Sequence, residues 1–270
     1  MSLERLRFEA LGTSCELLAE GAPPARLADA AAWVGAQHIR LTRFDTGSEL
    51  SYLNAHTGAW VGVSPILEAL LTESLRAWTM SGGLVHAGVL AAVLATGYTR
   101  PLNEGPTTAA LDAPPPPPLP QMLEVRPGAA RLAPGTGVDL GGIAKGWMAD
   151  RLTEQMGPNS VANLGGDLYA RGRGPDGKGW PIGFAGRTLF LSDRGVATSG
   201  VRGRRWGFGL HHLVDPRTGR PADSDVAEVS VVARSGADAE ILAKTALLLG
   251  REDGETLLFG RTDAYLVVPA

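Results

Sequence analysis

The sequence predicts an α+β fold, with a largely antiparallel sheet and flanking helices. Three observations carry this reading. β-like stretches recur at hairpin spacing, helical periodicity is confined to a few separate segments, and 36 glycines with 19 prolines in 270 residues demand many turns.

Taken in order, Phe8 to Ala19 reads as two short strands around Gly12, and Arg26 to Thr42 as an amphipathic helix with Leu27, Ala30, Ala31, Val34, Ile39 and Leu41 apolar. Pro65 suits a helix start, and Ile66, Leu67, Leu70, Leu71, Leu75 and Trp78 keep one side apolar until Gly82 and Gly83 stop it. A third helical stretch runs from Gly88 to Thr96. Residues 101–120, with five consecutive prolines at Pro114 to Pro118, read as a linker or extended surface loop within a single domain spanning 1–270. Beyond it, Met122 to Val125 and Ala130 to Ala133 flank a Pro127-Gly128 turn as a hairpin. Further strands are expected at Ser160 to Leu164, Trp180 to Ala185 and Thr188 to Leu191. Asp225 to Arg234 alternates Ala227, Val229, Val231 and Ala233 against Glu228, Ser230 and Arg234, the pattern of a half-buried strand. A helix from Ala237 to Leu249 closes at Gly250, and Ala264 to Val268 ends the set as a strand.

Composition narrows the function. Twenty-five Lys and Arg against 28 Asp and Glu leave a net charge of −3, so no basic field recommends nucleic acid. A lone cysteine, Cys15, forms no internal disulfide and no zinc spacing, and is expected to pack as a small apolar residue. The charged start at Met1 to Ala10 and the shortness of every apolar window predict a cytoplasmic protein without a membrane span.

The chemistry concentrates in a few windows. Gly135 to Gln155 misses the dinucleotide fingerprint because position 140 is Leu, and misses the P-loop because Gly146 follows Lys145 where Ser or Thr is needed. What remains is Gly141-Gly142 leading into a helix that buries Ile143, Trp147, Met148, Leu152 and Met156. Free N–H groups at its start and Lys145 one turn in would suit phosphate or pyrophosphate. His211 to Pro221 is a strong turn carrying two histidines. Arg202, Arg204, Arg205, Arg217 and Arg220 surround it, a base beside cations that could pair with phosphates. Asn163 to Asp167 and Ala197 to Gly200 are small-residue loops, each placed after an apolar strand.

In this order the windows LGT at Leu11, TRFDTGSELSYLN at Thr42, DLGGIAKG at Asp139, NLGGD, ATSG, HHLVDPRTGRP and AEILAKTALLLG at Ala239 resemble the ApbE family of FAD:protein FMN transferases. The resemblance implies a fold related to the tunnelling fold. It also implies binding of FAD and transfer of FMN to a Ser or Thr of a partner flavoprotein with release of AMP; some relatives instead hydrolyse FAD, and a weakened FAD-binding protein is a third reading. It places the flavin near Leu11 and Phe44, and the adenosine side near Leu84, Val85 and His86. Asp139 and Lys145 would bind FAD, and His212 would accept the proton. The family adds magnesium, held by a backbone carbonyl at Gly142 and by an Asp and a Thr on the late helix. Those two positions are Glu240 and Lys244 here, an i,i+4 pair in which Lys244 replaces a metal ligand with a group that has no lone pair to give while charged. Leu11 and His86 depart from the family's Met and Asp.

Overall fold

The computed structural model describes residues 2–207 and 209–270. Its strands are β1 (Leu3–Ala10), β2 (Thr13–Glu20), β3 (Trp60–Gly62), β4 (Leu123–Arg126), β5 (Ala129–Leu132), β6 (Ser160–Leu164), β7 (Asp167–Arg171), β8 (Trp180–Phe184), β9 (Arg187–Leu191), β10 (Arg194–Gly200), β11 (Arg205–Gly207), β12 (Leu210–His211), β13 (Val214–Asp215), β14 (Arg220–Pro221), β15 (Val226–Ala233) and β16 (Ala264–Pro269). Its α-helices are α1 (Pro24–Leu41), α2 (Glu49–Ala55), α3 (Pro65–Met80), α4 (Leu90–Ala95), α5 (Leu119–Met122), α6 (Ala144–Met156), α7 (Gly236–Leu249) and α8 (Arg251–Leu258). Among the described residues no helix is long and apolar enough to cross a membrane.

Seven strands form the central sheet in the order β1-β2-β6-β7-β10-β15-β16, with every neighbouring pair antiparallel. The α+β expectation holds. Alternation along the strands assigns the two faces. Ala162 and Leu164 of β6 join the main core with α1, α3 and α6, and Val229 and Val231 of β15 pack with α7. Val161, Leu168, Val196 and Val232 point the other way, under Trp180, Ile182 and Phe184 of the β8–β9 hairpin. β15 is therefore buried on both faces, not half buried as its alternation predicts. The hairpin that covers its second face comes from 40 or so residues upstream, and strand periodicity carries no record of it.

Two tight turns at one end of the sheet bring the family windows together. Leu11 and Gly12 link β1 to β2 with φ of 56° and 67°, and Gly165 and Gly166 link β6 to β7 with φ of 73° and 97°. Positive φ at both central residues is the two-residue hairpin turn that matches strand twist. Leu11 occupies it at a cost of about 1–2 kcal/mol that glycine would avoid. A Cβ at Gly165 would overlap the Thr13 side chain, so the second turn can lie against the first only as glycine. NLGGD is thus a hairpin turn, whereas ATSG lies inside β10 rather than after a strand.

The 88–96 stretch divides into a 3-10 turn at Ala87–Val89 and the short α4. Apart from a 3-10 turn at Leu102–Glu104, the 101–120 segment is irregular and largely exposed until α5, where Leu119 is fully buried. Sequence periodicity missed α2, where Ser48 caps by accepting from the Ser51 N–H at 3.0 Å, and α8, which starts directly after the Gly250 stop.

Helices α6 and α7 touch backbone to backbone. A Cβ on Gly146 would overlap the Gly236 carbonyl, and one on Gly236 would come within 2.6 Å of the Gly146 oxygen. The helices also cap each other. Asp150 of α6 accepts N–H bonds from Gly236 at 2.6 Å and Ala237 at 3.1 Å, while Glu240 of α7 accepts from Gly146 at 2.9 Å. Burial outweighs those two bonds at Asp150 and pushes its carboxyl up to about 6. Gly146→Ala should therefore cost about 1–3 kcal/mol and several degrees of Tm in a chain of this size. Gly35→Ala, at a helix position with nothing within 4 Å of the new methyl, should be neutral or stabilising. Thermal unfolding of the two variants checks this, and equal effects would show that the crossing tolerates a side chain.

Candidate active site

DLGGIAKG forms the approach to α6. Asp139 is fixed three ways: its N–H donates to the Ala87 carbonyl at 2.8 Å, its Oδ1 accepts from Gly141 N–H at 2.7 Å, and its Oδ2 forms an ion pair with Arg43, 2.6 Å from Nε. Asn54, the last residue of TRFDTGSELSYLN, holds the same strand of chain by exchanging two bonds with the backbone of Val138 at 2.8 and 2.9 Å. α6 then starts without a side-chain cap of its own. The anion at its start is the protein's Glu240 carboxylate, which corrects the expectation of open N–H groups there.

Two largely buried ammonium groups flank this start. Lys145 pairs with Asp167 of the NLGGD turn. Burial opposes its charge, but Asp167 and Glu240 outweigh burial and hold its pKa above the ordinary value. Lys244 donates from Nζ to the Gly142 carbonyl and lies 4.0 Å from Glu240 Oε1. Its expected ion pair with Glu240 is therefore loose, because the carbonyl takes the ammonium and the Gly146 N–H takes the other carboxylate oxygen. Burial lowers the Lys244 pKa, with Glu240 and Asp167 opposing. Glu240 is raised, by burial first and by Asp167 second.

His212 sits beside Lys244 and Arg204. Its Nδ1 is buried without a partner, and burial, Arg204, Lys244 and His211 together push its pKa down to about 3. The ring is neutral at pH 7. His211 is separately buried, with Nε2 3.1 Å from the Ala222 carbonyl. The basic cluster expected around this turn divides: Arg217 is spent on Asp215, at 2.7 to 3.1 Å, and on the Leu248 carbonyl at 2.7 Å, while Arg204 alone is close enough to act on His212 and Lys145.

On the far side of Asp139, the Arg43 guanidinium lies 4.2 Å from the Phe44 ring centre and 4.5 Å from that of Tyr98, which stacks on Trp206 at 5.0 Å. The Arg43 side chain is 6% exposed, and both its terminal amino groups lack partners. Sequence reading missed Arg43, Tyr98 and Asp167 as site residues. For Arg43 and Asp167 the usable signal was their position inside the motifs, which says nothing about what they face, and Tyr98 lies in none of the motifs. Trp206 donates to the Thr96 carbonyl at 2.8 Å, and Trp147 is in the core.

The remaining predicted residues are placed as follows. Leu11 is in the strained turn and packs on the main core, and Phe44 is 36% exposed. Val85 is buried, and Leu84 packs against the α7 cluster. His86 is buried with both ring nitrogens engaged, Nε2 at 3.0 Å from the Pro117 carbonyl and Nδ1 accepting from Gly88 N–H at 3.0 Å, so it ties down the proline segment. Cys15 is buried and its thiol is pushed up to about 11 by desolvation, the packing residue its strand position predicts. Cavities of about 200 Å³, under the β8–β9 hairpin, and about 90 Å³, beneath the proline segment, lie away from His212 and the two lysines.

Magnesium does not fit this ligand set. A hard cation seeks several free oxygens. Here the Gly142 carbonyl is bonded by an ammonium, Glu240 is committed to a backbone N–H, and among the described residues no three His, Cys, Asp or Glu gather around one point. An anionic, ring-bearing ligand does fit, because the unpartnered buried atoms include the donors of Arg43 and the Nδ1 atoms of His211 and His212, with Lys244 and Arg204 beside His212 and Lys145 within reach of Arg204.

The ApbE family matches over residues 11–266. Similar proteins include the FAD:protein FMN transferases of Treponema pallidum (strain Nichols), 32% identical over 86% of this chain and 74% of that protein, and of Klebsiella pneumoniae (strain 342), 34% identical over 48% and 44%. The matched part thus spans less than half of the Klebsiella protein. Solved structures with the same fold include the ApbE protein of Thermotoga maritima, with a TM-score of 0.88 and 23% identity over 99% of this chain and 94% of that one. The apo flavinyl transferase ApbE of Pseudomonas stutzeri has a TM-score of 0.81 and 22% identity over 95% and 87%.

His212 binds its proton below about 3 in the folded state, and an ordinary histidine does so below about 6.5. Between these values the unfolded chain holds more protons, so this contribution to stability is whole above 6.5 and drains away as pH falls toward 3. Asp150, raised to about 6, works in the opposite direction, so only a difference between variants isolates His212. Between pH 7.5 and 5 the native protein should lose about 1–2 kcal/mol more than His212→Gln in denaturant titrations. Parallel pH profiles would show that the imidazole is not held neutral.

Proposed function

The chain belongs to the ApbE family, and from that premise we propose that it moves FMN from FAD onto a Ser or Thr hydroxyl of a partner flavoprotein, releasing AMP, with residues 1–270 acting as one transferase unit. The observation that carries this reading is a neutral imidazole with a free nitrogen beside two cations, Arg204 and Lys244, the pairing that attack of a hydroxyl on a diphosphate requires.

Each residue then has a task. The acceptor oxygen bonds to the phosphorus on the FMN side, the bridging P–O bond breaks, and AMP leaves with the bridging oxygen. His212 takes the hydroxyl proton. Its low pKa is set by burial and by Arg204 and Lys244, so a bound diphosphate offsets those charges and lifts the base toward working range. Lys145 and Arg204 neutralise phosphate oxygens. Asp139 holds Arg43, whose two free amino groups match the acceptor atoms of a flavin ring edge, with Phe44 and Tyr98 as apolar faces and the Leu11 turn beside them. Leu84 and Val85 are assigned to the adenosine side, and His86 contributes there by fixing the proline segment rather than through a free nitrogen.

Incubation with FAD, with and without a Ser/Thr-bearing acceptor peptide, tests the proposal by AMP release. AMP that depends on the peptide supports transfer. AMP without it identifies water as the acceptor, and bound FAD without AMP identifies a binder. His212→Ala should slow release about 10²–10⁴-fold with FAD affinity nearly kept, while His211→Ala should change Tm more than rate. Lys145→Ala should weaken FAD about tenfold and riboflavin hardly at all.

A further inference from the structure

Lys244 lies in the middle of α7, with its side chain 13% exposed and its stem crossing to the approach of α6, where Nζ donates to the Gly142 carbonyl. The fit is close: a methyl at position 142 would overlap Nζ. Carboxylates face it from three elements, Glu240 of α7 at 4.0 Å, Asp139 of the α6 approach and Asp167 of β7, and Lys145 faces it with like charge. An ammonium has three N–H donors. Only one is committed, so two remain for an incoming anion.

We propose that Lys244 is a tethered counter-ion standing where a divalent metal would otherwise sit, so that this protein binds and cleaves its diphosphate substrate without a metal ion. The part concerning the substrate rests on the function proposed above; the exclusion of metal stands on the geometry alone. Three features make the replacement specific. The oxygen that a metal would take, on Gly142, already accepts from nitrogen. Glu240 is turned to the Gly146 N–H and serves as the cap of α6. Finally, α7 is locked against α6 at the Gly146–Gly236 crossing, so Lys244 cannot withdraw by moving its helix. A fixed single charge neutralises phosphate oxygens but does not gather several of them into one coordination sphere, so turnover should be slower than in a metal-dependent relative.

The test is titration of the full chain with Mn²⁺, followed by electron paramagnetic resonance and calorimetry, together with FAD binding in EDTA and in excess Mg²⁺. The native protein should take up no Mn²⁺ saturably, and its FAD affinity should agree within about twofold in the two buffers. Lys244→Thr frees the carbonyl, supplies a hydroxyl oxygen and should gain a Mn²⁺ site. Its FAD affinity should fall about tenfold in EDTA and recover with Mg²⁺. Saturable Mn²⁺ binding by the native chain that Glu240→Gln removes would overturn the proposal, and needs no altered Lys244. A folded Lys244→Thr protein that gains no Mn²⁺ site would overturn it too. Should the native chain bind no FAD in either buffer, the flavin reading fails while the Mn²⁺ measurements still decide the place of Lys244.

Discussion

Where α6 and α7 cross, Gly146 and Gly236 bring the two backbones into contact, and this approach determines what each helix can do for the other. At that separation a side chain of α7 reaches the first turn of α6, and one of α6 reaches the first turn of α7. Glu240 and Asp150 use that reach to satisfy N–H groups that helix starts leave open. One turn further along α7, Lys244 arrives at the Gly142 carbonyl for the same reason. A single side chain larger than hydrogen at the crossing would push the helices apart and withdraw all three groups together.

The site built there is close to neutral within itself. Lys145 and Lys244 are buried, and Asp167, Glu240 and Asp139 offset them, so the chain tolerates two ammonium groups in a low-dielectric place. Burial first, with the positive charges of Arg204 and Lys244 added, keeps His212 unprotonated. An arriving anion meets cations that are already desolvated and oriented, and its own charge changes the imidazole's proton affinity. On the function proposed above, substrate binding and activation of His212 as the base are the same electrostatic event.

The sheet contributes position. Its Leu11-Gly12 and Gly165-Gly166 turns lie together, so Asp167, the first residue of β7, is delivered to Lys145 by a hairpin whose geometry admits only glycine against Thr13. The Arg43–Asp139 pair then ties the chain following α1 to the approach of α6, with the aromatic rings of Phe44 and Tyr98 closing over it.

Whatever depends on a few neighbouring residues could be read from the sequence alone. Paired glycines marked the turns, Pro65 and Gly82-Gly83 bounded α3, the valine-rich alternation of β15 and the motif order were legible, and so was the chemistry of an ammonium at Lys244, where the family resemblance implies an oxygen ligand. Tertiary structure alone decided what those residues face. Lys145 meets Asp167 across 22 residues of chain, and Lys244 meets Gly142 across 102, separations at which periodicity and spacing hold no information. The two-sided burial of β15, the use of Glu240 as a cap and the enclosure of Arg43 by rings follow from how elements pack. Backbone signals act over a turn or a hairpin, whereas burial and ion pairing are set by whichever surfaces the fold presses together.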